Sequence, residues 1–316
     1  MNNSVYLPEG YRLGSPENRM YTSSLSGLER AMTEGVICEA PAVMCDSTDF
    51  SLHVDLGGAV GVIEKKEAVL TGIGEEVKNI AVLTRVGRAV AFTVRYIDKS
   101  ISPPIAYLSR REAQKRCMHE YISSLAPGDI IPAKVTHLER FGAFVDIGCG
   151  IVSLLPVDAI SVSRISHPSE RFSVSSRIFV VVKGFDGKTG RINVTHRELC
   201  GTWSQNASHF APGQTVAGIV RSIESYGVFV ELTPNLTGLA EPYDGVCVDE
   251  GAAVYIKSIS PERMKIKLAI VGAYRGELLR DVTPPKYYID PSKTNHIDRW
   301  RYSPQESSRT IETVFV

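Results

Sequence analysis

The sequence predicts an all-β protein made of three tandem five-stranded antiparallel barrels of the oligonucleotide/oligosaccharide-binding (OB-fold) type. The first reason is an internal repeat, because Ala126-Pro127-Gly128-Asp129 recurs 85 positions later as Ala211-Pro212-Gly213-Gln214. The second reason is that Phe141-Gly142-Ala143-Phe144 recurs at the same offset as Tyr226-Gly227-Val228-Phe229. Each copy contains five short strand patterns bounded by turn residues, which is typical of a small Greek-key barrel.

The strand predictions of the second and third copies follow the same order. In the second copy the predicted strands are residues 129–139, 141–148, 151–155, 177–185 and 190–195. In the third copy they are residues 214–223, 226–233, 238–241, 252–259 and 263–269. The glycines in Asp186-Gly187-Lys188-Thr189-Gly190 predict a turn between the last two strands of the second copy.

A weaker first copy of the repeat extends from Gly35 to Leu108. Its second strand is predicted at residues 50–56, but the glycine is absent and His53 stands where the second ring would be. We therefore predict the same barrel without an aromatic pair. The expected domains are an N-terminal extension, a degenerate barrel, a linker helix, two further barrels and a C-terminal extension, at residues 1–27, 28–108, 109–125, 126–203, 209–272 and 273–316.

An amphipathic helix is predicted between the first and second copies. Ser109-Arg110-Arg111-Glu112 has the spacing of a capping box, and Pro127-Gly128 would end the segment. Apolar side chains recur every four residues, at Ala113, Cys117, Tyr121 and Leu125. A basic run could contact phosphate, although such a face is more often simply solvated; it consists of Arg110, Arg111, Lys115 and Arg116.

The tail after residue 272 contains Tyr287-Tyr288 and Arg299-Trp300-Arg301-Tyr302 among prolines. This composition predicts an irregular segment that packs on the third barrel, with a short helix near residues 276–281.

Composition indicates a globular chain of 316 residues with 43% hydrophobic residues. The six cysteines form no CxxC or Cys/His cluster, so we expect reduced thiols and no bound metal. The N-terminal residues have no secretory or organellar pattern and no apolar run is long enough to span a membrane, so we expect a cytoplasmic protein without a membrane partner.

Charge argues against a general polyanion binder, because 35 Lys and Arg balance 35 Asp and Glu. The regional balance differs: residues 127–200 have 9 basic and 7 acidic residues (+2), whereas residues 210–272 have 5 and 7 (−2) and residues 28–108 have 8 and 11 (−3). Any nucleic-acid site must therefore depend on local side chains, and the second copy is the best electrostatic candidate.

The two rings of the repeated motif lie three residues apart, so a regular strand would place them on opposite faces. A glycine inside a strand often marks a bulge, and one extra residue at Gly142 would bring Phe141 and Phe144 to the same outer face. From there Ala143, Val145 and Ile147 should point inward, and Phe144 and Asp146 outward. The rings either fill a core or form a stacking surface for flat ligands such as unpaired bases.

Polar residues of the last strand would flank these rings. Arg191, Asn193 and Thr195 alternate with apolar residues in the second copy, as Lys265 and Lys267 do in the third. Arg191 could contact a phosphate or stack on a base, or it could be a solvated surface residue.

Catalysis finds no support in the sequence, because there is no P-loop, no HExxH motif and no Ser/His/Asp arrangement with supporting motifs. We therefore predict a protein that is not an enzyme and needs no cofactor.

The second-strand motif, the preceding Pro127-Gly128-Asp129 and the closing strand 190–194 together resemble the S1 RNA-binding domain, the unit repeated in bacterial ribosomal protein S1. The resemblance extends over the second copy fully, the third well and the first weakly, about residues 35–272 in all. It implies barrels that hold single-stranded RNA on aromatic residues of strands two and three and on charged residues near the last strand.

The resemblance assigns RNA-binding positions residue by residue. In the second copy these are Phe141, Phe144, Asp186 and Arg191, and in the third copy Tyr226, Phe229 and Lys265, with Lys267 beside them. The family's histidine position is occupied by Pro156 in the second copy and Glu241 in the third, and Ser260 replaces the aspartate of the third. The first copy has Phe50, His53 and Glu64 at these places, which puts its RNA site in doubt.

The function predicted from these observations is non-catalytic binding of single-stranded RNA, either mRNA or rRNA, in bacterial translation or RNA metabolism. The implied partners are RNA and the small ribosomal subunit, and we expect a monomer. The alternative is an adaptor that docks to proteins or to the ribosome through barrels with degenerate RNA sites, which the acidic first and third copies favour.

Overall fold

The computed structural model describes residues 5–72, 74–186, 191–274 and 286–316. It contains three closed five-stranded barrels, which confirms the predicted fold class. By contacts the chain divides into two compact units, residues 1–125 with 146–152 and residues 126–145 with 153–316. The predicted turn at 187–190 and the predicted helix near 276–281 lie outside the described residues.

The strands of each barrel follow one another in the same pattern. The first barrel consists of β1 (Cys38–Cys45), β2 (Leu52–Leu56), β3 (Ala59–Ile63), β4 (Ala89–Asp98) and β5 (Ile105–Ser109). The second consists of β6 (Ile130–Glu139), β7 (Gly142–Asp146), β8 (Val152–Pro156), β9 (Arg177–Phe185) and β10 (Ile192–Thr195). The third consists of β11 (Thr215–Glu224), β12 (Gly227–Thr233), β13 (Leu236–Ala240), β14 (Gly251–Ser260) and β15 (Lys265–Tyr274).

Each barrel closes in the same way. The strand order is β1-β2-β3-β5-β4 in the first barrel, and the second and third barrels repeat this order with their own five strands. The third and fifth strands of each barrel pair in parallel, and the fourth strand pairs antiparallel with the first and the fifth. This arrangement puts the closing strand beside the third strand, so residues distant in sequence share one outer face.

The helices lie outside the barrels, and none in the described part of the chain is long and apolar enough to cross a membrane. They are α1 (Pro16–Thr22), α2 (Leu25–Glu34), α3 (Asn79–Leu83), α4 (Arg110–Glu120) and α5 (Trp203–Ala207). Helix α4 is the predicted linker helix; the Ser109 side chain caps it by accepting a hydrogen bond from Glu112 N–H. A short 3-10 turn over Ile122–Ser124 follows it.

The apolar face of the linker segment is buried as predicted, at Ala113, Cys117, Tyr121 and Leu125. Its basic run is only partly available, because Arg110 is buried and its Nε donates to Glu9 Oε1 over 2.6 Å. The expectation that Arg110 could contact phosphate is therefore wrong. A guanidinium locked to a buried carboxylate cannot serve a ligand in solution.

The inward residues of the second barrel are those expected, since Ala143, Val145 and Ile147 are buried. Two residues expected to face outward are buried as well. Thr195 donates a hydrogen bond from its hydroxyl to Glu198 Oε2 over 2.6 Å. Asp146 accepts hydrogen bonds from the backbone N–H groups of Gly148 (2.9 Å) and Glu9 (2.7 Å). The alternation of buried and exposed side chains fails at these two positions because each side chain hydrogen-bonds to a polar partner inside the fold.

The C-terminal extension forms a two-stranded sheet of β16 (Arg299–Arg301) and β17 (Glu312–Val314). Trp300 and Tyr302 join the core of the third barrel, as predicted. The extension also packs on the second barrel, which was not predicted: Phe315 joins a cluster with Ile130 and Val181. The extension therefore contacts both barrels of the second unit.

Candidate nucleic-acid interface

The Phe141 and Phe144 rings lie side by side on the second barrel. Arg140 and Phe141 form the turn between β6 and β7, so Phe141 precedes the strand and Phe144 lies within it. The ring centroids are 5.9 Å apart and the planes meet edge to face at 89°. Phe141 is 55% exposed and Phe144 is half-buried. Neither ring is sealed in the core.

A bulge inside the second strand is not what brings the rings together. Gly142 is the first residue of β7, and the hairpin turn carries Phe141. In the third barrel Glu224 pairs with Gly227 and Ser222 with Phe229, and the register shift falls on the opposite strand, between Val220 and Ser222. The predicted bulge at the glycine is therefore wrong, although the shared outer position of the two rings is as expected.

The glycine is required by a close approach of the neighbouring strand. A Cβ atom on Gly142 would lie 2.5 Å from the carbonyl oxygen of Leu155 in β8. In the third barrel a Cβ atom on Gly227 would lie 2.3 Å from the carbonyl oxygen of Ala240 in β13. Both contacts involve backbone, so a side chain would have to displace the third strand of the barrel.

The third barrel repeats the aromatic pair. Tyr226 is 63% exposed, Phe229 is half-buried, and their ring centroids are 6.2 Å apart at 90°. The two pairs thus have the same geometry at positions 85 residues apart. An edge-to-face pair leaves the face of at least one ring open to a planar ligand.

A third ring on the second barrel is absent from the sequence predictions. His137, in β6, stacks on Phe144 with 6.2 Å between centroids and 27° between planes. Its Nε2 lies 2.8 Å from Glu139 Oε1, and its side chain is exposed. The corresponding position of the third barrel is Ser222, which pairs with Phe229. The second barrel therefore has the larger ring surface.

The strand register connects the rings of the third barrel with its lysines. Phe229 pairs with Leu239 and Leu239 pairs with Lys267, so the three lie in one row across β12, β13 and β15. With about 4.8 Å between neighbouring strands, Lys267 and Phe229 are about 10 Å apart along this row. Lys265 lies two residues earlier in the same strand, and both lysines are exposed. All four predicted residues of the third barrel thus share its outer surface.

In the second barrel the closing strand occupies the same place. Asn193 pairs with Leu154 of β8, as Lys267 pairs with Leu239. Arg191 is exposed and immediately precedes β10, and its carbonyl oxygen accepts a hydrogen bond from Asp186 N–H over 2.8 Å. The predicted Asp186 and Arg191 are therefore neighbours at the end of this barrel where β9 turns into β10.

The departures from the family pattern lie at the ends of the third strands. Pro156 is the last residue of β8, and Glu241 follows β13. Lys257 Nζ donates to Glu241 Oε1 over 2.7 Å, and this hydrogen bond and the lysine charge lower the pKa of Glu241. The carboxylate is ionised but paired with a cation, which reduces its repulsion of a phosphate.

The first barrel lacks a ring pair on its second strand, yet its outer face is not bare. One row of paired residues runs through Met44, His53, Val62, Tyr107 and Tyr96. Tyr96 and Tyr107 stack with 4.3 Å between centroids and 14° between planes, and Tyr96 is 48% exposed. The sequence prediction missed this pair because the two tyrosines belong to the fourth and fifth strands.

Among the residues that the structure describes, no group of three His, Cys, Asp or Glu side chains could hold a metal ion. The surfaces of the second and third barrels offer stacking faces, cations and amides.

The sequence of the second barrel matches a known protein family. Residues 124–197 match the family model described as the S1 RNA binding domain. The resemblance seen in the sequence is thereby confirmed for this barrel, which carries Phe141, Phe144 and Arg191.

Curated relatives extend the similarity beyond one barrel. The small ribosomal subunit protein bS1 homolog of Bacillus subtilis is 32% identical over 158 residues, which are 48% of this chain and 41% of that protein. Protein bS1 of Rickettsia typhi is 26% identical over 206 residues, 60% of this chain and 36% of that protein. The chain thus spans less than half the length of these relatives.

Among solved structures, a multidomain protein with nucleic acid binding domains from Streptococcus pneumoniae is similar to this chain. It is 15% identical, with 75% of this chain and 73% of that chain covered and a TM-score of 0.24. A TM-score this low supports no conclusion beyond the barrels already described.

Proposed function

We propose that this chain is a non-catalytic single-stranded RNA-binding protein that acts in translation or RNA metabolism. The observation that carries the proposal is the edge-to-face pair of aromatic rings, one exposed and one half-buried, found at the same place in the second and third barrels. Unpaired bases stack on such rings whatever their sequence, because every base has a π face. The proposed contact residues are those predicted from the sequence, together with His137.

Stacking has to supply much of the affinity, because the chain carries no net charge. Each stacked base contributes on the order of 1 to 3 kcal/mol by alanine substitution, so four rings could support useful binding. Arg191, Lys265 and Lys267 would add contacts to phosphates beside the rings. Linking two weak sites raises the effective concentration of RNA at the second site once the first is occupied.

The names of the curated relatives support a more specific role. Proteins named as components of the small ribosomal subunit suggest mRNA or rRNA as the ligand and the small subunit as the place of action. We propose this role for a monomeric cytoplasmic protein. The second barrel would be the principal RNA site because it has a third ring and a net positive charge.

The proposal is tested with the full chain and a fluorescein-labelled oligouridylate of about 12 nucleotides, followed by fluorescence anisotropy. Replacing Phe141 and Phe144 together by alanine should weaken binding by about tenfold or more, which corresponds to about 1.4 kcal/mol or more. Circular dichroism would verify that the variant is folded. Unchanged affinity in a folded variant would reject the site.

A second candidate function is a protein-binding adaptor, which the outer row of the first barrel favours. The exposed side chains of Met44 and Tyr96 and the half-buried ring of Tyr107 form an apolar row. The next row along the same strands includes Asp55 and Asp98, which would repel phosphate. Such a surface suits a protein segment with basic side chains better than RNA.

The two functions differ in their response to salt and to substitution. An adaptor should bind a purified small ribosomal subunit with an affinity that depends on Tyr96 and Tyr107 but not on Phe141 and Phe144. RNA binding should weaken steeply with salt, since contacts to phosphate release counterions. A shallow salt dependence of RNA affinity, with subunit binding lost on replacing Tyr96, would favour the adaptor.

A further inference from the structure

The connection between β8 and β9 of the second barrel lies against the third barrel. Ser163 N–H donates to the carbonyl oxygen of Pro234 over 3.0 Å, and Val162 N–H donates to Asn235 Oδ1 over 2.9 Å. The hydroxyl of Ser163 donates to Glu231 Oε2 over 2.6 Å. Both barrels belong to the same compact unit, so this segment joins them physically.

The place where the segment meets the third barrel adjoins its rings. Glu231 lies two residues after Phe229 in β12, and Thr237 lies two residues before Leu239 in β13. Ser163 Oγ is 3.1 Å from Thr237 Oγ1. Since every second residue of a strand shares a face and the rise is about 3.3 Å per residue, Ser163 is about 7 Å from the Phe229 row.

The other end of the segment adjoins the rings of the second barrel. Val157 directly follows β8, and its N–H donates to the carbonyl oxygen of Phe141 over 3.0 Å. Ser163 lies six positions after Val157, and a chain of that length spans at most about 22 Å. The two ring surfaces are therefore connected by a short stretch of one segment, not by a flexible linker.

Buried ion pairs fix the segment in place. Arg171 donates to Glu231 Oε2 over 2.6 Å, and Arg221 donates to the same oxygen over 2.8 Å. Glu170 pairs with Arg221 and accepts hydrogen bonds from Ser166 N–H and His167 N–H. The side chains of Arg221 and Glu231 are both 5% exposed. A segment held by buried charges of opposite sign keeps one position relative to both barrels.

One cation on this segment, Arg164, has no side-chain partner among the described residues. Arg164 is exposed, and no ion pair or hydrogen bond of its side chain occurs within residues 5–72, 74–186, 191–274 and 286–316. Its neighbour Ser163 faces the third barrel, so the guanidinium lies on the solvent side of the connecting segment. An arginine in this position can bind a phosphate without breaking any contact of the fold.

We propose that the two ring surfaces and this segment form one composite site for a single RNA strand, in which Arg164 binds a phosphate between the two barrels. This inference rests on the proposed function. The path from one ring pair to the other is at most about 30 Å, which corresponds to about nine stacked nucleotides at 3.4 Å each. An oligomer of about 12 nucleotides therefore bridges the site, whereas one of about 4 nucleotides occupies one barrel only.

The test compares the affinities of the full chain for oligouridylates of about 4 and about 12 nucleotides at several salt concentrations. Arg164→Ala should weaken binding of the longer oligomer about threefold to fivefold and reduce its log–log salt slope by about 0.7, as expected for one lost phosphate contact on a single strand. The short oligomer should be unaffected, and Arg164→Lys should retain most of the affinity. Arg19→Ala, which removes an exposed arginine of α1, is the matched control and should change neither oligomer.

The possible outcomes separate this inference from the proposed function. If wild type binds the longer oligomer and Arg164→Ala leaves its affinity and salt slope unchanged, the bridging role is wrong while RNA binding stands. If the variant weakens both oligomers equally, Arg164 belongs to a single-barrel site and the composite site is wrong. If wild type binds neither oligomer, the proposed function itself fails.

Discussion

The imidazole of His137 lies roughly parallel to the phenyl ring of Phe144, with 6.2 Å between centroids and 27° between planes. Phe141 meets the same ring edge-on at 5.9 Å. Phe144 is thus flanked by one ring from β6 and one from the turn of the β6–β7 hairpin. A half-buried ring held by two neighbours loses little further freedom when a base stacks on it, which favours binding.

His137→Ala should therefore weaken RNA binding about threefold, whereas His137→Phe should keep wild-type affinity because it preserves the stacked face. Anisotropy titration of the labelled oligouridylate measures both. Equal losses in the two variants would mean that the imidazole contributes its hydrogen bonding rather than its ring, and the account of a three-ring surface would be wrong.

From the sequence alone we predicted two rings of this surface, Phe141 and Phe144, but not the third, His137. Phe141 and Phe144 stand out because their motif recurs, but His137 becomes visible only from the hairpin register. Residues 140 and 141 form a two-residue turn, so residue 139 lies opposite residue 142. Counting back from the turn along both strands places His137 opposite Phe144. The sequence prediction started the strand at residue 141, which hides the turn.

Gly142→Ala should destabilise the fold by about 2 kcal/mol, because the new Cβ atom would meet the carbonyl oxygen of Leu155 at 2.5 Å. Gly272→Ala is the matched control, since a Cβ atom built on Gly272 in β15 has no heavy atom of the described residues within 4 Å apart from its own chain neighbours. Alanine there should be neutral or slightly stabilising. Urea denaturation measures both, and equal midpoints would contradict the close approach of β7 and β8.

The burial of Asp146 was mispredicted because its hydrogen-bond partner is distant in sequence. Asp146 was expected outside because it alternates with Val145, yet it accepts a hydrogen bond from Glu9 N–H, 137 residues earlier. Burial, and then the charge of Glu9, raise the pKa of Asp146 to about 7. Periodicity reports which face a strand residue takes, but it cannot report that a polar partner covers the outer face.

Arg221→Ala should destabilise the second unit by about 3 to 5 kcal/mol, because it leaves buried Glu231 with one arginine fewer and Glu170 without its cation. Lys257→Ala removes an equally close but exposed partner of Glu241 and should cost much less, because solvent screens this pair. Free energies of unfolding from urea titration compare the two. Similar small losses would show that the buried network does not fix the connecting segment.

The imidazole of His196 lies buried against Phe172 and Tyr287. Its Nδ1 donates to the carbonyl oxygen of Ile160 over 2.9 Å. Burial, opposed by this hydrogen bond and assisted by the charge of Arg171, lowers the pKa of His196 to about 4. In the unfolded chain the pKa is about 6.5, so only the unfolded state takes up a proton between these values.

The stability contributed by neutral His196 should therefore be complete above about pH 6.5 and be lost as the pH falls toward 4, by about 3 kcal/mol in all. His196→Asn keeps a donor near Nδ1 but does not titrate, so its unfolding free energy should change less over this range. Urea titrations at several pH values compare the two proteins. Parallel curves for wild type and variant would contradict a buried neutral imidazole, because the remaining titratable groups are common to both.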